Sequence, residues 1–192
     1  MKPRSIIPPN SRLKHKTIGF SFFYLIWLFS FLSLMGWLWE VCLYLVRDHR
    51  FVNRGILSGP WLPIYGAGGL FLYFLLYRLK KHPLWVFLLA AAVCSALEYF
   101  CSWFLEQLWD IRWWDYSGFW GNLNGRICLL GSILFGAGAL LMIYLFIPWF
   151  EKIYEKIPPR IRKTVGFLLL FLFLADAAYA AAIPNTGSGV TY

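Results

Sequence analysis

Charge is scarce in this 192-residue chain, where only 14% of residues are Asp, Glu, Lys or Arg and 60% are hydrophobic. That balance excludes an ordinary soluble domain. Cysteine is also sparse: Cys42, Cys94, Cys101 and Cys128 form no Cys-x-x-Cys pair. Three histidines offer no motif to complete a metal site, so the sequence points to structural thiols, with no metal and no cofactor. A Gly-x-x-x-x-Gly-Lys-Ser/Thr phosphate loop is missing too, which removes a self-contained ATPase from consideration. No cleavable amino-terminal signal is expected, because the first apolar run is too long and lacks a small-residue cleavage site.

What the chain does have is long apolar runs. A hydrocarbon core of about 30 Å needs roughly 20 apolar residues per helix. That length selects five segments, about 17–46, 62–77, 84–108, 127–150 and 164–183, of which the second is short and Gly-rich. The reading is an all-α, polytopic membrane helix bundle of about five transmembrane helices. A basic cytoplasmic tail occupies residues 1–16, one transmembrane domain residues 17–183, and a short outward tail residues 184–192.

Basic residues orient the bundle, since cytoplasmic loops retain Lys and Arg. Lys2, Arg4, Arg12, Lys14 and Lys16 precede the first helix; Arg78, Lys80 and Lys81 follow the second; Lys152, Lys156, Arg160, Arg162 and Lys163 follow the fourth. All three groups share one side, so the amino terminus is expected in the cytoplasm and the carboxyl terminus outside. The net charge of +9 is spread over short juxtamembrane stretches, which suits anionic lipid head groups rather than nucleic acid.

The opposite side has its own chemistry. Its basic residues, Arg47, Arg50, Arg54, Arg112 and Arg126, are all arginine, whose planar fork matches carboxylate or phosphate. They either pair with Asp48, Glu106, Asp110 and Asp115, anchor to lipid head groups, or hold a substrate. Eight of the 11 tryptophans belong to this half, namely Trp37, Trp39, Trp61, Trp103, Trp109, Trp113, Trp114 and Trp120. That is more than an interfacial belt requires, and it predicts an aromatic-lined cap. Asn53-Arg54-Gly55-Ile56 and Asn122-Leu123-Asn124-Gly125-Arg126 both lead into helices. Each fits either turn-and-cap chemistry or an anion held at a helix start.

Two stretches resemble each other. With an offset of 70 positions, Gly55 falls on Gly125, Tyr65 on Phe135 and Gly66-Ala67-Gly68 on Gly136-Ala137-Gly138. A loop gap of about a dozen residues then brings Glu40 onto Glu98. The expectation is a duplicated helical hairpin, a parallel repeat over about 36–77 and 94–147, with Glu40 and Glu98 facing one another and each met by Arg54 or Arg126.

Glu40, Glu98 and Asp176 lie inside apolar segments, where an exposed charge costs at least about 2.5 to 3.5 kcal/mol. Three uses fit them. They glue helices by hydrogen bonds of roughly 1 kcal/mol, they bind a cation or proton in transport, or one serves as a general base at the membrane surface. The candidate substrate- or ion-binding set is Glu40, Arg54, Tyr65, Glu98, Asp115, Asn124, Arg126 and Asp176.

The order Gly36-Trp37-Leu38-Trp39-Glu40, Asn53-Arg54-Gly55-Ile56-Leu57-Ser58-Gly59-Pro60, Pro63-Ile64-Tyr65-Gly66, Leu97-Glu98-Tyr99, Trp114-Asp115-Tyr116-Ser117 and Asn124-Gly125-Arg126-Ile127-Cys128 resembles a bacterial membrane family catalogued as putative ABC-transporter type IV, CmpB-like. The resemblance spans about Trp37 to Gly138, with Asp176 a weaker match. It implies a permease or transport-associated subunit. Any ATP coupling would then need a separate ATPase, with the amphipathic stretch from Trp149 to Lys163 as the docking segment, and a homo-oligomer would supply the volume that five helices lack. The alternative is a membrane-embedded enzyme acting on a lipid or lipid-linked substrate at the outer leaflet.

Overall fold

A computed structural model describes residues 21–109 and 114–185, with the side chain of Trp109 left aside. The basic tail, Arg112 and the carboxyl-terminal end fall outside those residues.

Helix α1 (Phe22–Asp48) starts where the Ser21 side chain accepts from the Tyr24 N–H at 3.2 Å, and ends at His49, whose φ of 51° turns the chain into the left-handed region. Proline opens α2 (Pro63–Leu76) and α3 (Pro83–Trp109), the position where its missing N–H costs nothing. A 3-10 turn, Tyr77–Leu79, lies between them. Helix α4 (Leu129–Leu141) runs through a π turn, Met142–Phe146, into α5 (Ile147–Lys156). The wide turn has a local cause: Pro148 has no N–H to offer the preceding turn, and the Ile147 N–H reaches back to the Met142 carbonyl instead. Ile157 and Pro158 then break the chain before α6 (Pro159–Ala182).

Among the described residues, four helices are long and apolar enough to cross a bilayer: α1, α3, the continuous α4–α5 helix of 28 residues, and α6. The fifth expected pass, α2, has 14 residues and reaches only about 21 Å at 1.5 Å per residue. It lies along α1, as the larger contacts of the bundle join α1 to α2, α3 to α4 and α1 to α6.

Small residues set those approaches. A Cβ on Gly66 would fall 2.2 Å from the Ser33 hydroxyl of α1, and one on Gly136 would fall 2.6 Å from the Phe87 ring of α3. Gly68 and Gly138, two residues on in each helix, meet nothing within 4 Å. The buried apolar core, including Tyr24, Leu28, Tyr73, Leu76, Ile143 and Ile147, gathers toward the end carrying Lys80, Lys81, Lys152 and Lys156, here the lysine end. The opposite, tryptophan end adds polar contacts to a smaller buried set that includes Val41, Tyr44, Val52, Leu57 and Leu62.

Candidate functional site

At the tryptophan end the α1–α2 loop folds back onto the helices. The Trp37 indole donates to Asn53 Oδ1 at 2.6 Å, Asn53 Nδ2 donates to the Ser58 carbonyl at 2.9 Å, and the Leu62 N–H donates to the Ser33 carbonyl at 3.1 Å. Two residues from the far end of the chain fasten it. Asp176 of α6 accepts from the Ser58 N–H (3.1 Å), the Gly59 N–H (2.9 Å) and the Trp61 indole (2.7 Å). Asn185 donates through Nδ2 to the carbonyls of Asn53 and Gly55, each at 2.9 Å, and through its backbone to Ile56. Asp176 therefore anchors this loop.

Glu40 sits beneath the loop. Tyr65 of α2 donates to its Oε1 at 2.7 Å, and Arg54 Nε stands 3.8 Å from Oε2, with the guanidinium 5.0 Å from the Tyr44 ring centre. Both ends of this carboxylate are engaged.

The second loop, described from Trp114 on, is a compact turn assembly. Asp115 Oδ1 accepts from the Ser117 N–H (2.9 Å) and hydroxyl (2.6 Å), Asn122 Oδ1 accepts from the Gly125 N–H (3.2 Å), and Leu123 bridges Ile127. Asn124 takes a φ of 54°, a conformation Asn tolerates, and its Nδ2 donates to the Tyr99 hydroxyl at 2.8 Å. Both loops thus use Asn and Gly for turns, and the α4 start is capped by Cys128, whose sulfur accepts from the Gly131 N–H at 3.4 Å.

Arg126 is buried, donating to the Ser102 hydroxyl at 3.1 Å and ion-paired with Glu106, while the Trp114 indole donates to its carbonyl at 2.9 Å. This corrects the expectation that Arg126 meets Glu98. The register of the α3–α4 hairpin explains it. Ser95 and Ser132 hydrogen-bond at 2.6 Å, and outward from that pair Arg126 draws level with Ser102, a full turn beyond Glu98.

Glu98 receives a phenol instead: Tyr116 donates to Oε1 at 3.0 Å. Burial, and then the Glu98 charge, push the Tyr116 hydroxyl above its usual pKa, so it stays a donor. The second oxygen, Oε2, is buried and has no hydrogen-bond partner among the described residues.

Among the described residues, none of these hydrogen bonds or ion pairs joins the Glu40 contacts to the Glu98 contacts; each set stays within its own hairpin. The aromatic cap is realised in part. Trp37, Trp61 and Trp114 knit the loops with their N–H groups, whereas Trp39, Trp103 and Trp120 face outward. Sequence reasoning passed over Tyr116 and Ser102 as site residues, though Glu98, Ser102 and Glu106 recur every four residues and so share one face of α3.

A family model described as Putative ABC-transporter type IV matches residues 27–181. No curated protein and no solved structure matches the chain. The chain belongs to that family, and it is a membrane-embedded, multi-pass helical protein.

Proposed function

We propose that this member of the family is a permease-like or transport-associated subunit, with its amino terminus in the cytoplasm and its tryptophan end facing outward, and that Glu98 is the residue that meets the transported species. One observation carries the reading. Among the described residues, Glu98 Oε2 lies buried without a donor, a state that costs free energy until a cation, a proton or a substrate N–H supplies one. Glu40 and Asp176 are already supplied by Tyr65, Arg54 and the loop N–H groups, so they serve structure.

The duplicated hairpin draws support from matching details. Gly66 and Gly136 each press on the preceding helix, and Glu40 and Glu98 each accept a tyrosine hydroxyl. Phe135 stands where Tyr65 stands in the first copy, so the second copy takes its hydroxyl from Tyr116 in the loop. Because the chain has no phosphate loop, ATP-driven transport requires a partner ATPase, and self-association would enclose the pathway.

The test is a screen of inorganic cations and small amines for stabilisation of the purified protein, comparing wild type, Glu98→Gln and Glu40→Gln. A solute that stabilises wild type and Glu40→Gln but not Glu98→Gln supports the reading. Equal stabilisation of all three overturns it. The enzyme reading uses the same residues, but Arg126, its phosphate clamp, is occupied by Ser102 and Glu106. A bound lipid spanning Arg126 and Glu98 in purified protein would favour that reading.

A further inference from the structure

A third carboxylate–phenol site lies at the lysine end. The buried residues Ile147, Phe150 and Tyr154 of α5 belong to the apolar core, and the Phe150 ring centre stands 5.8 Å from that of Tyr24 and 5.1 Å from that of Phe31, both on α1. One acid enters this region. Glu151 Oε1 accepts from the Tyr24 hydroxyl at 3.0 Å and from the Tyr73 hydroxyl at 3.4 Å, and the two hydroxyls are themselves 3.2 Å apart. A single carboxylate therefore joins α1, α2 and α5.

Glu151 is only partly buried, so its carboxylate keeps access to water while the two phenols hold it, and such a contact adds little net stability. That suits a contact that both forms and releases, because hydrogen bonds to a carboxylate are directional and can be exchanged for water.

The surrounding backbone suits release. Helix α5 is a lever of ten residues between two irregular joints, the π turn at Met142–Phe146 and the break at Ile157–Pro158. Its far end is joined to the start of α6: Arg162 donates to the carbonyls of Ile157 (2.7 Å) and Glu155 (2.8 Å) and lies 4.4 Å over the Tyr154 ring, while the Trp27 indole donates to the Arg162 carbonyl at 2.9 Å, a second tie to α1 that opening must also release. At the tryptophan end, α1 and α2 are clasped by the same chemistry, Tyr65 to Glu40. Tyr24 and Glu40 are 16 residues apart on α1, about 24 Å along its axis. Among the described residues, only the lysine-end clasp reaches a third helix.

We propose that Glu151, Tyr24 and Tyr73 form a latch that keeps the lysine end of the bundle closed, and that α5 moves about the π turn when the latch opens. In the permease reading this is the cytoplasmic gate. Its purpose rests on that reading; its test does not, because the motion is read without a substrate.

The experiment places spin labels at Lys81→Cys and Lys156→Cys in the full chain, with the four native cysteines replaced, in lipid nanodiscs. A control pair at Leu45→Cys and Gly118→Cys reports on the tryptophan end. Wild type should show one dominant Lys81–Lys156 distance. The Tyr24→Phe/Tyr73→Phe variant keeps both rings and removes only the hydroxyls, so it tests the latch even if Glu151→Ala fails to fold. Either variant should raise a longer-distance population by about tenfold or more from a minor state, with the control pair unmoved. An unchanged Lys81–Lys156 distribution in the double Phe variant overturns the proposal. So does equal broadening of both pairs, which signals general loosening. A wild-type protein that moves no solute, with the latch result intact, would count against the permease reading alone.

Discussion

Asp176→Ala removes the acceptor that three N–H groups of the α1–α2 loop share, at 3.1, 2.9 and 2.7 Å. Hydrogen bonds to a charged group contribute about 1.5 to 3 kcal/mol each, but the site is half-exposed and water repairs part of the loss. The Gly59 and Trp61 bonds are the shorter and more enclosed two, which sets the net cost at about 2 to 4 kcal/mol. That corresponds to roughly 30-fold or more in the local opening equilibrium. The assay is hydrogen exchange at the Ser58 and Gly59 amides in detergent-solubilised protein. Both amides should lose protection by that factor, while the α3–α4 loop keeps its own. Asp176→Asn should fall between, since one carbonyl oxygen remains. Unchanged exchange at both amides in Asp176→Ala would refute the anchoring role and reopen Asp176 as a ligand residue.

Arg126→Ala should destabilise by about 3 to 5 kcal/mol, because it strands Glu106 in a partly buried position, and a double-mutant cycle with Glu106→Gln in thermal unfolding should show strong coupling. Tyr65→Phe should cost about 1.5 kcal/mol, one hydrogen bond to the Glu40 carboxylate, and leave ligand stabilisation intact. Gly66→Ala and Gly136→Ala should each lose about 1 to 3 kcal/mol by overpacking, whereas Gly68→Ala and Gly138→Ala, which meet open space, should be neutral or slightly stabilising in the same unfolding assay.

The helices were legible because membrane spans must be long and uncharged, and even the short α2 announced itself through its glycines. Arginine pairing was half legible. Arg47 with Asp48 (2.9 Å) and Arg126 with Glu106 follow the expectation that the arginines meet loop acids. Pairing Arg126 with Glu98 failed on register, which the Ser95–Ser132 contact sets and no sequence pattern reveals. The hydroxyl partners were hidden for a related reason. Tyr65 reaches Glu40 across 25 positions and Tyr24 reaches Glu151 across 127, so nothing local ties them. Glu151 itself read as one more charge in an amphipathic stretch, and only the packing of α5 turns it inward.

The central claim is that Glu98 binds what the protein handles. Its most direct measurement is the affinity of a stabilising cation or amine for purified wild type and Glu98→Gln by calorimetry, with hydrogen exchange confirming that both are folded alike. Glu98→Gln keeps the acceptor for Tyr116 on one atom and removes the charge, so affinity should fall by at least about tenfold, one charge-assisted contact. Equal affinity in a Glu98→Gln protein of unaltered fold would contradict the account.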